Sequence, residues 1–427
     1  MSALVPYQRR IVDDELDELS VDLAAIAIEG PKGVGKTRTA LQRANTAHRL
    51  DDPAELAVAE ADPARLLEGE RPVLIDEWQR LRHAWDLVRR AVDDGAPPGS
   101  FLLTGSALPD PPPTHSGAGR IVTVRMRPLA LSERLQTASV SLSELLSGAR
   151  AAVTGATDVA LTDYTEEVLA SGLPGVRPLS GRARRLQLEG YVDRIVDRDI
   201  PDDAGVVIRN PAALRRWMAA YAAASSTTAT FETVRDAASA GHGHKPSKNA
   251  TQAYRDALTR VWILDEVPAW MPSNNRLREL WQAPKHQLAD PALAAQLLGV
   301  QASTLLAGQS SGPAVARDGT LLGALFESLV TLSVRVYAAR SEAKVRHLRT
   351  ARGRQEVDLI VERADGGVVA IEVKLARSVS HDDAKHLTWL KQKLGDSVLD
   401  QVIITTGPKA YRREDGIAVV PLALLGP

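Results

Sequence analysis

Eight residues near the start of the chain, Gly30-Pro31-Lys32-Gly33-Val34-Gly35-Lys36-Thr37, combine glycines, an ammonium and a hydroxyl at the spacing G-x-x-x-x-G-K-[ST]. Glycines let a loop fold back with its amides turned inward, and inward amides hold phosphate oxygens. Lys36 then supplies a point charge to the outer phosphates, and the Thr37 hydroxyl is placed to ligate a Mg²⁺ that keeps most of its waters. Two adjacent carboxylates, Asp76 and Glu77, end the apolar run Val73-Leu74-Ile75. Asp76 is expected to hold the Mg²⁺ through its shell, and Glu77 to orient water for attack on a γ-phosphate. Thr104 and Ser106, around the end of the run Ser100 to Thr104, are candidates for sensing that phosphate or placing the water. Arg120 follows a Pro/Gly/Ser-rich loop over 109–119. It either stabilises charge on the transferring phosphoryl group, within the subunit or across an interface, or is a plain surface arginine.

A second set of groups lies near the C-terminus. Glu327 interrupts a segment, Leu321 to Ala338, that is apolar almost all round. Burying even a neutral polar group unpaired costs roughly 2–7 kcal/mol and a charge costs more, so Glu327 requires a partner, a metal or water. Asp358 sits in the strand-like run Glu356 to Val361. In Val368 to Leu375 the period of two puts Glu372 and Lys374 on one face and Ile371, Val373 and Leu375 on the other.

These groups need a scaffold, and the patterning supplies one. Leu23 to Ile28 reads as a buried strand and Thr37 to about His48 as a helix, which is the context that distinguishes a phosphate loop from an idle glycine-rich turn. Strand-like and helical runs alternate to about residue 140, the pattern of an α/β domain with a mostly parallel sheet, in which ligands collect at the carboxyl ends of strands. With 427 residues the chain has room for two or three cores, and 52 basic against 53 acidic side chains leave any nucleic-acid surface to local patches. There is no cysteine, which removes disulfides and thiolate chemistry and fits a reducing cytoplasm. The acidic N-terminal stretch lacks a signal-peptide core and no uninterrupted apolar run approaches the ~20 residues of a membrane span, so a soluble cytoplasmic protein is expected.

The chain resembles a large bacterial and archaeal family of AAA-type ATPases with a C-terminal winged-helix and nuclease-like region, a family whose biological task is largely undefined. The residues that carry the resemblance are Tyr7-Gln8-Arg9-Arg10-Ile11-Val12-Asp13, the loop Gly30 to Thr37, Ile75-Asp76-Glu77-Trp78-Gln79, Leu103-Thr104-Gly105-Ser106, Ala118-Gly119-Arg120, Ser171-Gly172-Leu173-Pro174 and Arg198-Asp199-Ile200. Thr251, Tyr254, Lys285 and Asp290 match later positions. The resemblance implies ATP and Mg²⁺ as ligands. It also implies four regions: a P-loop core over 1–140, a helical lid over 141–205, a winged-helix-like domain over 206–308 and a nuclease-like α/β domain over 309–427.

In the third region, helices at Leu214 to Ala224, Phe231 to Ala240 and Asn249 to Arg260, followed by a hairpin, are the order of a winged helix, which binds either DNA or protein. Lys245, Lys248, Arg255 and Arg260 are the phosphate-contacting candidates if DNA is the partner; His242 and His244, with no third ligand, read as a plain loop. In the fourth region, a helix, three strands, a helix and a strand resemble the PD-(D/E)XK nuclease fold. That resemblance implies that Glu327, Asp358 and Glu372 hold one or two Mg²⁺ and that Lys374 places the attacking water, with Val357 standing where the motif has proline. Two readings follow. One is an ATPase coupled to a DNA-binding, nuclease-like half; the other is a nucleotide-gated regulatory module whose nuclease-like fold grips without cutting. A homo-oligomer, with Arg120 acting across it, stays open.

Overall fold

A computed structural model describes residues 7–109, 112–203, 205–240, 245–271, 283–308, 315, 319–350 and 353–427. The N-terminal sheet contains β1 (Ala25–Glu29), β2 (Thr46–Arg49), β3 (Val73–Asp76), β4 (Phe101–Gly105) and β5 (Val122–Arg125), all parallel in the order β2-β3-β4-β1-β5. Parallel sheets are covered on both faces, and the strands alternate accordingly. Ile26, Ile28, Leu74 and Leu102 join the large core shared with the helices that follow, whereas Ala25, Ala27, Val73, Ile75, Phe101 and Leu103 pack with Trp78, Trp85 and Val88 on the other side. The helix after the phosphate loop is shorter than its pattern suggests: it runs Lys36–Leu41, and Thr46–Arg49 forms the edge strand β2 by pairing with β3.

A middle region is built from helices Leu161–Ala170, Gly181–Arg194, Pro211–Ala223, Phe231–Ala237, Lys248–Arg260 and Pro291–Leu297, with one wide π-type turn at Ile195–Asp203 containing Pro201. After the Lys248–Arg260 helix the chain makes antiparallel bridges Leu264↔Leu288 and Val267↔Lys285, and the residues that connect these two segments, 272–282, lie outside the described residues. The pair His242 and His244 lies outside the described residues.

At the start of the 141–205 stretch expected to be helical, Leu142–Leu146 is a short helix, but the residues flanking it give two short strands to the far end of the chain. β6 (Val140–Ser141) pairs with β14 (Leu425–Gly426), and β7 (Gly155–Ala156) pairs with β12 (Lys409–Arg412). The remaining C-terminal strands are β8 (Lys344–Arg349), β9 (Glu356–Glu362), β10 (Val368–Val373), β11 (Val398–Thr405) and β13 (Ala418–Pro421), and the seven-stranded sheet has the order β7-β12-β13-β11-β10-β9-β8. The helix Leu321–Arg340 covers one face through Leu325, Phe326 and Leu329, and the helix Lys385–Leu394 covers the other through Leu387 and Leu390. By length and composition alone Leu321–Arg340 is long and apolar enough to cross a membrane, but 72% of that window is buried inside the protein, as a core helix should be.

Candidate functional site

The phosphate loop starts where β1 leaves the sheet. Gly30 has φ +155°, and a Cβ there would lie 2.1 Å from the Met126 carbonyl oxygen, so only glycine fits. Gly33 and Gly35 have φ +77° and +106°, which turn the backbone back toward the helix that Lys36 begins. Lys36 Nζ donates to the loop's own carbonyls, Gly30 O at 2.8 Å and Pro31 O at 3.0 Å. Burial holds this ammonium down to about 8, against the opposing pull of Glu77 and Asp76.

The register of β3 and β4 sets Asp76 level with Thr104 at the carboxyl ends of the strands. Asp76 Oδ1 accepts from Thr37 Oγ1 at 2.8 Å and also from the Thr104 hydroxyl. Burial pushes the Asp76 carboxyl above its ordinary value while those two hydroxyls pull it back. A hydroxyl and a carboxylate that converge at the mouth of a phosphate loop are the donor set a Mg²⁺ uses, so Thr37 and Asp76 fit that ion. Glu77, held at φ 57°, accepts from Ser106 Oγ at 2.6 Å and from the Gln79 side-chain amide. Thr104 and Ser106 therefore both touch the acid pair, and Gln79 belongs with them.

A cavity of about 610 Å³ opens beside the loop, bounded by Lys32 to Thr39, Glu77, Arg10, Met126 and the turn Pro174 to Pro178. Several of its walls were invisible to spacing. Arg10 is buried and donates to Glu133 Oε1 at 2.8 Å and to the loop carbonyl Val34 O at 3.1 Å. Lys32 bridges to Asp199 at 2.7 Å and Asp203 at 2.5 Å on the π-type turn, so the phosphate loop is tied to the middle region by its own side chain. Arg177, at the cavity edge, is paired with Glu167 at 2.7 Å. The available signals were the motifs Tyr7 to Asp13, Ser171 to Pro174 and Arg198-Asp199-Ile200; nothing in the sequence named Lys32 as the partner of Asp199.

Arg120 is elsewhere. It precedes β5, whose parallel pairing with β1 puts Val122 level with Ile26 and Arg125 level with Glu29, so Arg120 lies at the edge of the sheet opposite the phosphate loop. There it pairs with Asp93 at 2.7 Å. The expectation that it reaches the phosphates of its own subunit is corrected, because a parallel strand starts at the far edge.

The C-terminal acids also assemble differently from expectation. Lys285, 1% exposed at its side chain, reaches Glu327 Oε1 at 2.8 Å, Asp358 Oδ1 at 2.9 Å and Glu356 Oε1 at 3.4 Å. Asp358 Oδ2 accepts from the Val373 amide at 2.9 Å. Glu372 follows Val368 and Ala370 toward the Lys385–Leu394 side and takes Lys374 Nζ at 2.9 Å. Burial and the neighbouring Asp358 push Glu327 and Glu372 each up to about 8. For Asp358 burial acts upward too, but Lys285, the Val373 amide and Lys374 together outweigh it and the carboxyl lies below its usual value. Among the described residues no three carboxylate or imidazole groups converge on one ion position. Glu327, Asp358 and Glu372 as placed do not fit a divalent metal, because an ammonium stands between the first two and a second lysine holds the third.

The basic candidates of the middle region are partly committed. Lys245 Nζ pairs with Glu232 at 3.0 Å and also with Asp236, and the Arg255 guanidinium lies 3.4 Å from the centroid of the Phe231 ring.

Residues 23–135 match the family model described as an AAA domain, so this part of the chain carries an AAA-type ATPase domain. Residues 161–304 and 322–425 match two models each described as a domain of unknown function, DUF8612 and DUF4143. Two uncharacterized proteins, from Mycobacterium bovis and Mycobacterium tuberculosis, are each 25% identical over 286 residues, which is 64% of this chain and 56% of theirs; the chain spans about half the length of these curated relatives. Among solved structures it is similar to a Walker-type ATPase of Pyrococcus abyssi, at 16% identity and TM-score 0.42 over 69% of this chain and 98% of that one, a likeness too loose to carry inference.

Proposed function

We propose that this chain binds ATP with Mg²⁺ and hydrolyses it, and that nucleotide state acts on a C-terminal half that does not cleave nucleic acid. The observation that carries the first part is the convergence of Lys36, Thr37 and Glu77 on one cavity at the carboxyl edge of a parallel sheet, with Asp76 directly behind them on the Thr37 hydroxyl. Lys36 exchanges two loop carbonyls for phosphate oxygens, and its ammonium binds an anionic oxygen more strongly than the neutral carbonyls it leaves. Thr37 and Asp76 would hold Mg²⁺, which when bound neutralises charge on the outer phosphates. Glu77, kept in place by Ser106 and Gln79, accepts a hydrogen from the attacking water and aligns it. Lys32, Asp199 and Asp203 join the loop to the middle region, so a change in the loop is felt there.

The C-terminal sheet, with Asp358 and Glu372-Val373-Lys374 on neighbouring strands, supports a PD-(D/E)XK-like fold, and Lys285 between its acids favours the non-cleaving reading. The three middle helices with antiparallel bridges behind them support a winged-helix-like unit.

Titration calorimetry and phosphate release test the ATP reading. Lys36→Ala should lose ATP binding while staying folded. Glu77→Gln should bind ATP as the parent does and turn over about 10²- to 10⁴-fold more slowly. Parent-like hydrolysis by Glu77→Gln, or parent-like binding by Lys36→Ala, would overturn the assignment.

A further inference from the structure

Lys285 is an unusual residue to bury. It belongs to the segment that bridges antiparallel to Val267, yet its side chain leaves the middle region and ends among carboxylates of the C-terminal sheet. Its three partners come from different positions: Glu327 from the Leu321–Arg340 helix, Asp358 from inside β9 and Glu356 from the start of β9. Removing an ammonium from water costs several kcal/mol, and only close, well-directed charges offset it. Glu327 and Asp358 accept hydrogen bonds from the ammonium at 2.8 and 2.9 Å, and Glu356 adds an ion pair at 3.4 Å, which together meet that condition. The partners also outweigh burial, so Lys285 stays charged well above its ordinary range.

Hard divalent cations bind carboxylate oxygens at about 2.0–2.6 Å. An ammonium 2.8 and 2.9 Å from Glu327 Oε1 and Asp358 Oδ1 occupies the volume from which such an ion would reach the same two oxygens. Glu372, the acid that would complete the set, is held by Lys374, and its second oxygen, Oε2, is buried without a hydrogen-bond partner. One acceptor of the site is therefore left unused while the ammonium stands in the centre.

We propose that Lys285 is a built-in cation that takes the place of a metal in the C-terminal acidic site, shutting it and latching the middle region to the C-terminal sheet. The site opens to divalent ions only when Lys285 withdraws. Its backbone continues to Asp290, which is fully buried and accepts from Ser171 Oγ at 2.8 Å and the Gly172 amide at 2.7 Å. Those residues lead directly into Pro174 and Gly175 at the wall of the nucleotide cavity. One short stretch of chain thus has one end in the acidic site and the other against the turn that borders the phosphate loop. The latch itself does not depend on the ATP reading.

The test is Mn²⁺ binding by the full chain without nucleotide, in a background carrying Asp76→Asn so that the phosphate-loop site contributes no ion. Electron paramagnetic resonance counts free Mn²⁺ up to about 1 mM, the weak end of protein sites. The background protein should bind none at the C-terminal acids. Lys285→Ala should gain about one equivalent, and adding Asp358→Asn should abolish the gain. Melting temperature gives a second readout. Lys285→Ala should melt below the background protein in chelator and recover with Mn²⁺, whereas Lys285→Met, which fills the same volume without charge, should melt lower and not recover. Asp358-dependent Mn²⁺ binding with Lys285 intact would overturn the proposal, as would a folded Lys285→Ala that gains no ion. Should Lys285→Ala fail to fold, the comparison of the background protein with its Asp358→Asn form decides: a difference in bound Mn²⁺ refutes the latch, and equal absence together with an unrescued Lys285→Met supports it.

Discussion

Asp265 is the point at which one substitution should do most damage outside the nucleotide cavity. Its carboxylate, 5% exposed, meets three guanidiniums: Arg125 at 3.1 Å and Arg127 at 2.7 Å from the ATPase domain, and Arg335 at 3.0 Å from the Leu321–Arg340 helix. Burial would push this carboxyl up, but the three arginines outweigh it and hold it far below the usual carboxylate range. Asp265→Asn keeps the shape and removes the charge, leaving three like charges facing a neutral amide. Breaking a buried ion pair from one side typically costs 3–5 kcal/mol. Arg335 retains the Asp265 and Glu266 carbonyls at 2.7 and 3.2 Å, and Arg125 retains the Trp262 ring at 4.7 Å, so the lower end applies. We expect a loss of about 3 kcal/mol, roughly a hundredfold in the folded-to-unfolded ratio. Urea unfolding of parent, Asp265→Asn, Arg127→Met and the double variant measures it, with a coupling of at least about 1 kcal/mol between the two sites. The sign with pH follows from the depressed carboxyl. Its contribution is complete above the unfolded value of about 3.9 and disappears as the pH falls toward the lower folded value, so parent and Asp265→Asn converge in acid. A variant within about 1 kcal/mol of the parent at neutral pH, or purely additive singles, would refute the account.

Two further outcomes can be checked. Burial raises the Glu29 carboxyl to about 7, with Lys36 and Arg125 opposing, so the folded chain holds a proton there that the unfolded chain has released. Stability should decline by up to about 3 kcal/mol as the pH rises from about 4.5 to 7 and level off above; Glu29→Gln should lack that decline, and an unchanged slope in urea melts across this window would contradict it. Asp290→Ala strips the acceptor from the Ser171 hydroxyl and Gly172 amide and the cap from the Pro291–Leu297 helix. It should lower the melting temperature and, by loosening the turn at the cavity wall, weaken ATP binding roughly 5- to 10-fold, about 1 kcal/mol; calorimetry showing parent affinity in a folded variant would remove the coupling role.

Local sequence determined the parts whose chemistry is confined to a few neighbouring residues. The glycines at 30, 33 and 35 dictate a backbone that only a loop of this type adopts, and the apolar runs ending in Asp76-Glu77 and in Thr104 are strands of a parallel sheet because both faces must be apolar. Period-two alternation likewise placed Glu372, near the end of β10, beside Lys374, which follows it. Tertiary structure alone decided what long side chains meet after the chain has closed on itself. Lys32 with Asp199, Arg10 with Glu133, Asp265 with three arginines and Lys285 with Glu327 and Asp358 are all contacts between residues far apart in the chain, and no spacing rule encodes them. Val140–Ser141 and Gly155–Ala156 became strands for the same reason, since edge pairing is specified by a partner that arrives only with the last residues of the sheet. Arg120 shows the converse: its residue type suits phosphate chemistry, but the direction of β5 carries it to the opposite edge. Residue type and spacing state which chemistry is available, and the closing of distant segments onto one another, driven by burial and paid in chain entropy, selects which of it is assembled.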